Sequence, residues 1–258
     1  MSALDSIIAG VREDLEARRV PMGQLLENIE RAPHVRDCLP ELMTDEISII
    51  AEIKRSSPSK GSLAPINDPA GLAAIYEEAG ATIISVLTEE RRFGGSLADL
   101  DLVRKAVEIP ILRKDFMISE YQFYEARAHG ADVVLLIVAA LAQNQLDDYF
   151  QLSKELGMRA LVEVHTQDEL ERALEISPEI IGVNSRNLKT LEVDTQAFAQ
   201  LISQIPSGIA RVAESGISKR EEVVFAHECG ATAILVGEAL VRAQSPSVAI
   251  NELLGRLN

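Results

Sequence analysis

The sequence predicts a closed (β/α)8 barrel on three observations: eight short apolar runs, helix-like segments between them, and a polar or charged residue at the end of most runs. In order the runs are IIAEIK (49–54), IISVLT (83–88), ILRKD (111–115), VVLLIV (133–138), ALVEVH (160–165), IIGVNSR (180–186), ARVAES (210–215) and AILVGE (233–238). Each is too apolar to have one wetted face, which points to parallel strands covered by crossover helices. Closing eight such strands brings their carboxyl ends to one face, where barrels carry their chemistry. That face would collect Glu52, Lys54, Lys114, Asp115, Glu163, Asn184, Arg186, Glu214 and Ser215. So many ionisable groups at matching strand ends indicate an enzyme.

Residues 1–45 fall outside the alternation. LDSIIAGVREDLEARR has apolar residues at 4, 7, 8, 11 and 15 opposite a charged face, an amphipathic helix that either caps one end of the barrel or serves in dimerisation. Helix starts are legible after the strands. Asp68-Pro69 combines an N-cap with proline at the first helical position. Ser119-x-x-Gln122, Thr166-x-x-Glu169 and Ser218-x-x-Glu221 have the capping-box spacing. Helices are expected near 69–79, 98–107, 119–129, 142–156, 167–176, 195–204, 218–228 and 246–257. EAGATIISVLT (78–88), AHGADVVLLIV (128–138) and ECGATAILVG (228–237) form a weak repeat with glycines at 80, 130 and 230, a period of about two βα units. Each reads as a helix closed by a C′ glycine that turns straight into a buried strand.

At 258 residues the chain fits one barrel of about 250. It is read as a single domain over 1–258 with residues 1–45 as an N-terminal helical extension. The apolar fraction of 47% is ordinary for a chain that buries a full core. A formal charge of −15 argues against a nucleic-acid partner, which would need clustered positive surface. It leaves room for an anionic small molecule, because a few cations in a cleft hold a locally positive potential. Cys38 and Cys229, far apart and outside any CxxC, read as free thiols in a reducing compartment. No apolar stretch approaches about 18 residues and the N-terminus lacks a signal peptide's shape. A soluble cytoplasmic protein with no membrane partner is expected, a monomer with a homodimer as the alternative.

The most specific segment is IIAEIKRSSPSKGSL (49–63). Residues two apart share a strand face, so Glu52 and Lys54 point the same way at the strand's end. An acid and an ammonium in that space tune each other's ionisation. SSPSKG after them is a loop long enough to close over a ligand. Lys114, with Leu112 as same-face neighbour, suits a general acid, an anion anchor or a Schiff-base nucleophile. Glu163, beside Leu161, suits a general base or acid. SGIS (215–218) and VGEAL (236–240) place glycines where the last two strands hand over to helices, where barrels often hold a phosphate. His34, His129, His165 and His227 have no HxxxH or HExxH spacing, so no metal is expected. His165 follows Glu163 closely enough to touch the site, although a role at the start of the next helix is the simpler reading.

These motifs resemble the indole-3-glycerol phosphate synthase family over essentially the whole chain. AEIKRSSPSKG is similar to that family's first-strand signature, and LRKDF, LVEVH, GVNSRNL, AESGI and LVGEAL resemble its later strand-end motifs in the same order. The resemblance implies a TIM barrel with a helical extension, and a lyase of tryptophan biosynthesis that needs no cofactor. Its substrate would be 1-(2-carboxyphenylamino)-1-deoxyribulose 5-phosphate, a small phosphorylated molecule, closed to indole-3-glycerol phosphate with loss of carbon dioxide and water. By the same resemblance Lys114 would protonate the ribulose carbonyl, and Glu163 would move protons in the dehydration. Lys54 would hold the substrate's carboxylate or phosphate, with proton donation as a second role left open. Glu52 would orient the lysines, while Asn184 and Ser215 would position substrate hydroxyls and Glu163. Ser57, Arg186, Gly216, Gly237 and Glu238 match substrate-anchoring positions, mostly for the phosphate, and Glu214 joins the substrate-binding set. Pro58, Phe93, Phe116, Leu135 and Leu188 match an apolar wall for the anthranilate ring. Relatives often carry a serine near the helix start after the eighth strand, where this chain reads Gly237-Glu238-Ala239. Glu238 is therefore expected to offer only its backbone N–H, with its carboxylate turned away.

Two other barrel enzymes compete with this reading. Phosphoribosylanthranilate isomerase has no natural place for the EIK motif or the extension, and an aldolase would use Lys114 as a Schiff base. A catalytically silent phosphate-binding scaffold is a third alternative, disfavoured by Lys54, Lys114 and Glu163 occurring together.

Overall fold

The computed structural model describes residues 2–187 and 190–256. Eight strands run parallel and close: β1 (Ser48–Ile53), β2 (Ile83–Leu87), β3 (Ile111–Lys114), β4 (Val133–Ile137), β5 (Arg159–Val164), β6 (Ile180–Asn184), β7 (Ala210–Glu214) and β8 (Ala233–Val236). Each neighbours the next in sequence, and β8 pairs with β1 through Ala51 and Val236. The (β/α)8 barrel expected from the apolar runs is the fold observed. Alternation along the strands divides the core into two layers. Ile50, Ile83, Leu112, Leu161, Val212 and Leu235 fill the interior. Ile49, Ile84, Val134, Val162 and Ile234 face outward, where Tyr76, Phe123, Phe150 and Phe198 of the helices cover them.

The helices fall where the sequence placed them: α4 (Pro69–Glu78), α5 (Leu97–Ala106), α6 (Glu120–Ala128), α7 (Gln143–Glu155), α8 (Gln167–Glu175), α9 (Gln196–Leu201), α10 (Arg220–Glu228) and α12 (Pro246–Leu254). The short α11 (Glu238–Arg242) precedes α12, right after β8. Asp68 caps α4 by accepting the Gly71 N–H at 2.9 Å, as its place before Pro69 predicts. The glycines of the repeat have φ of +91°, +79° and +100° at 80, 130 and 230, the left-handed turn that only glycine makes cheaply.

None of the three expected capping boxes closes as predicted. Thr166 accepts the Glu169 N–H at 3.3 Å, but the Glu169 carboxylate accepts the His165 N–H at 2.8 Å, one residue before the cap. Gln122 braces the loop after β3, accepting the Ile118 N–H at 2.9 Å and donating to the Phe116 carbonyl at 3.0 Å. At α10 the cap moves one residue on, and the Glu222 carboxylate accepts the N–H groups of Ser218 and Lys219.

The extension does more than cap one end. It contains α1 (Ala3–Arg18), α2 (Met22–Arg31) and α3 (Leu39–Leu42). Leu4, Ile7 and Val11 of α1 join the interior cluster at the mouth, as do Cys38 and Leu42 at the opposite end. Between them the Arg36 N–H donates to Asp132 at 2.8 Å and Arg159 donates to Asp37, both at strand starts. Ser48 at the start of β1 donates to the Glu41 carbonyl at 2.7 Å. The segment thus fastens both ends of the barrel.

Candidate active site

Register decides which side chains meet at the mouth. Leu87 pairs with Lys114, Ile137 with Glu163 and Asn184 with Glu214, so residues at or next to the ends of β3, β5, β6 and β7 stand at nearly one level. Lys114 Nζ lies 3.2 Å from Glu163 Oε2 and 3.6 Å from Glu214 Oε2. Lys54 Nζ lies 2.5 Å from Glu52 Oε1, on the same face of the β1 end. These groups line a cavity of about 660 Å³, within the range of small-molecule sites. Ser57, Pro58, Phe93, Phe116, Leu135, Asn184, Arg186, Ser215, Gly216, Gly237 and Glu238 line it too. Every residue expected in the site is therefore brought to one cavity, except Leu188, which lies outside the described residues.

Burial sets the ionisation here. Burial alone would neutralise Lys114, but the Glu163, Glu214 and Glu52 carboxylates outweigh it and raise its pKa. Glu163 feels the same burial and is nevertheless held below the usual carboxylate range by Lys114 and His165, with a hydrogen bond from Asn184. Glu214, equally buried, is pushed up first by desolvation and then by the Glu163 charge. The two carboxylates flanking Lys114 are therefore pushed in opposite directions, Glu163 toward the ionised form and Glu214 toward the protonated one.

The apolar wall is built by two loops and by α1. Phe93 and Phe116 sit with ring centroids 6.1 Å apart, tilted by 40°. Leu4 and Ile7 of α1 complete the lining. Sequence reading missed these two as site residues, although the apolar stripe of that helix was the available signal. The expected loop at 55–62 is a small hairpin, Ser56–Ser57 against Gly61–Ser62. Arg55 holds it by donating to the Ile66 and Gly94 carbonyls and to Asp99. Across the mouth Arg186 donates to Ser59 Oγ at 3.1 Å. At the opposite end the Glu238 carboxylate faces Arg242 at 3.4 Å, adding a cation that the sequence analysis overlooked.

Two glycines make room for the acids. A Cβ at Gly182 would overlap Glu214 Oε1, and one at Gly237 would overlap Glu52 Oε1. Gly182→Ala is expected to displace Glu214, lower kcat/KM about tenfold or more, and cost about 1–3 kcal/mol of stability. Steady-state kinetics and a thermal melt check both parts.

Paired ammonium and carboxylate groups at the carboxyl end of a closed parallel barrel, beside an apolar wall, define an acid–base enzyme of the (β/α)8 class. The model of the indole-3-glycerol phosphate synthase family matches residues 4–253. The chain belongs to the indole-3-glycerol phosphate synthase family. It is 54% identical over 256 residues to indole-3-glycerol phosphate synthase 1 of Streptomyces coelicolor, covering 98% of this chain and 95% of the relative. It is 54% identical over 259 residues to the indole-3-glycerol phosphate synthase of Paenarthrobacter aurescens, with the same coverage. Among solved structures, 3-hexulose-6-phosphate synthase superposes with a TM-score of 0.64 at 16% identity, over 83% of this chain and all of that one. The N-acetylmannosamine-6-phosphate 2-epimerase from Clostridium perfringens does so with a TM-score of 0.62 at 15% identity, over 87% of this chain and 98% of that one. These two share the fold. No helix among the described residues is long and apolar enough to cross a membrane.

Proposed function

We propose that the protein closes the ring of 1-(2-carboxyphenylamino)-1-deoxyribulose 5-phosphate, releasing carbon dioxide and water to give indole-3-glycerol phosphate. The observation that carries this reading is the meeting of Lys54, Lys114 and Glu163 around one cavity with an aromatic wall. The reaction joins two carbons of a single flexible molecule, so the first task is to fold that molecule into a near-attack shape. Phe93, Phe116, Pro58 and Leu135 support the anthranilate ring. Gly216, Gly237, Glu238 (through its backbone N–H), Ser57 and Arg186 anchor the rest, chiefly the phosphate. The short helix α11 after β8 suits that task, since barrels commonly bind phosphate with the last two loops and such a helix.

As the ring carbon attacks the ribulose carbonyl, negative charge grows on its oxygen. Lys114 stabilises that charge and then gives up a proton, because an alkoxide is a stronger base than an amine. Loss of carbon dioxide from the former anthranilate carboxylate restores the aromatic ring. Glu163, ionised and next to Lys114, then accepts and returns protons as the hydroxyl leaves. Lys54, oriented by Glu52, holds an anionic group of the substrate and leaves a proton-donating role open, while Asn184 and Ser215 fix hydroxyls and Glu214 lines the floor. Positioned acids and bases of this kind contribute about a hundred- to ten-thousand-fold each. The same proposal takes residues 1–258 as one domain, acting as a monomer in the cytoplasm. Mixing the protein with the anthranilate-derived ribulose phosphate should produce indole fluorescence against low background, because the chain has no Trp. A flat trace with intact substrate would overturn the reading.

A further inference from the structure

His165 lies directly after β5, with its side chain only 7% exposed. Its Nε2 stands 3.2 Å from Glu163 Oε1, close enough to pair as charges though not aligned as a hydrogen bond. Its Nδ1 stands 3.0 Å from Glu169 Oε2 in the first turn of α8. The same oxygen of Glu169 accepts the His165 backbone N–H at 2.8 Å, so one carboxylate fixes both the ring and its backbone. Each ring nitrogen thus has a carboxylate oxygen within about 3 Å, and a neutral imidazole, protonated on one nitrogen only, would leave the other lone pair close to negative charge. The imidazolium places positive charge beside both acids. Burial works against that charge, but Glu163 and Glu169 outweigh it and lift the pKa to about 10.

Glu163 is therefore gripped from two sides, Oε2 by the Lys114 ammonium and Oε1 by the ring. Glu214, buried to the same degree, faces Lys114 and Glu163 but is not paired with an imidazole, and its pKa is raised where that of Glu163 is lowered. We propose that His165 is a positioning residue for the reaction: a permanently protonated imidazolium, clamped by Glu169, that keeps Glu163 ionised and turned toward the cavity. This rests on the proton-moving role given to Glu163 above. The charged and titratable groups around Glu163 are Lys114 from β3, Glu214 from β7, His165 from its own strand and, through Lys114, Glu52 from β1; Asn184 of β6 is the neutral neighbour.

Two readouts test it. In the intact protein, nitrogen NMR of the His165 ring should show the doubly protonated form from about pH 6 to about 9, which an ordinary imidazole would not hold. A ring that titrates near pH 6.5 overturns the proposal, whether or not the protein turns over the proposed substrate. In kinetics, His165→Gln keeps an N–H donor without the charge. The acidic limb of kcat/KM should move up by about one pH unit or more, as removal of a neighbouring charge predicts. Activity should fall most below the shifted limb and recover as pH rises above it. Glu169→Gln should shift the limb in the same direction by less. An unmoved acidic limb in His165→Gln, even with a lower melting temperature, leaves the residue a purely structural role and sinks the idea. Failure of the wild type to make indole-3-glycerol phosphate sinks the substrate reading alone, because the NMR arm still reports on the ring.

Discussion

Lys114→Ala abolishes measurable turnover while the barrel stays folded. On the proposed mechanism the variant loses the ammonium that stabilises the developing alkoxide and supplies its proton, and general acid catalysis of this kind is worth about a hundred- to ten-thousand-fold. The loss should lie at or beyond the upper end, because Lys114 also organises its neighbours. Without it Glu163 and Glu214 face each other with His165 as the counter-charge next to Glu163, and the carboxylates respond by binding another proton. The fold tolerates the change for that same reason, since the acids can neutralise in place. Fluorescence assay of product reads the activity, and far-UV circular dichroism with a thermal melt reads the fold. Full activity in the variant would remove Lys114 from the acid role.

Arg113→Met should be the most damaging substitution for stability. The Arg113 side chain is fully buried yet carries a charge, one residue before Lys114. Its Nε donates to Thr88 Oγ1 at 3.1 Å, Nη1 to the Gln122 carbonyl at 3.0 Å, and Nη2 to Asp115 and Glu125 at 3.0 and 2.8 Å. Glu125 in turn accepts two hydrogen bonds at 3.0 Å from Arg18 of α1. Removing the central cation takes the ion-pair partner from buried Asp115 and leaves Glu125 with Arg18 alone, and breaking a buried pair typically costs about 3–5 kcal/mol. For a chain of this size that is a fall of roughly 6–20 °C in melting temperature. Burial alone would raise the pKa of Glu125, but Arg113 and then Arg18 hold it below the ordinary value. A depressed carboxylate contributes stability that is present above its unfolded pKa and is lost as pH falls through the folded one. Losing one of the two cations raises that folded value, so acid unfolding of the variant should begin at higher pH than in the wild type. Melts across a pH series check both the size and the direction. Arg113→Lys should rescue little, because an ammonium cannot span the same fork of acceptors.

The contrast between Lys114 and Arg113 shows what the sequence could reveal. Both lie in the same apolar run, one residue apart, and so point to opposite faces of the sheet. A charge at the last position of a strand in a parallel barrel has an obvious destination at the mouth, and Lys54, Glu163 and Glu214 were legible for that reason. A charge in mid-run, aimed between sheet and helices, has partners set by tertiary packing. Glu125 is 12 residues away, and Arg18 reaches Glu125 across 107. No periodicity encodes such a pairing. His165 was visible as a neighbour of Glu163, but its second contact, to Glu169, depends on how tightly α8 turns back over the strand. The stripe of α1 announced a buried face without saying that Leu4 and Ile7 would lie against the site.

The extension's attachment at both ends has a consequence for how the molecule is assembled. Its docking partners are Glu125, Asp132 and Arg159, separated from Arg18, Arg36 and Asp37 by 107, 96 and 122 residues. Contacts of such long sequence separation raise the chain's contact order, which slows folding. The aliphatic rim of the pocket, Leu4 and Ile7, thus sits on a segment held by these distant pairings.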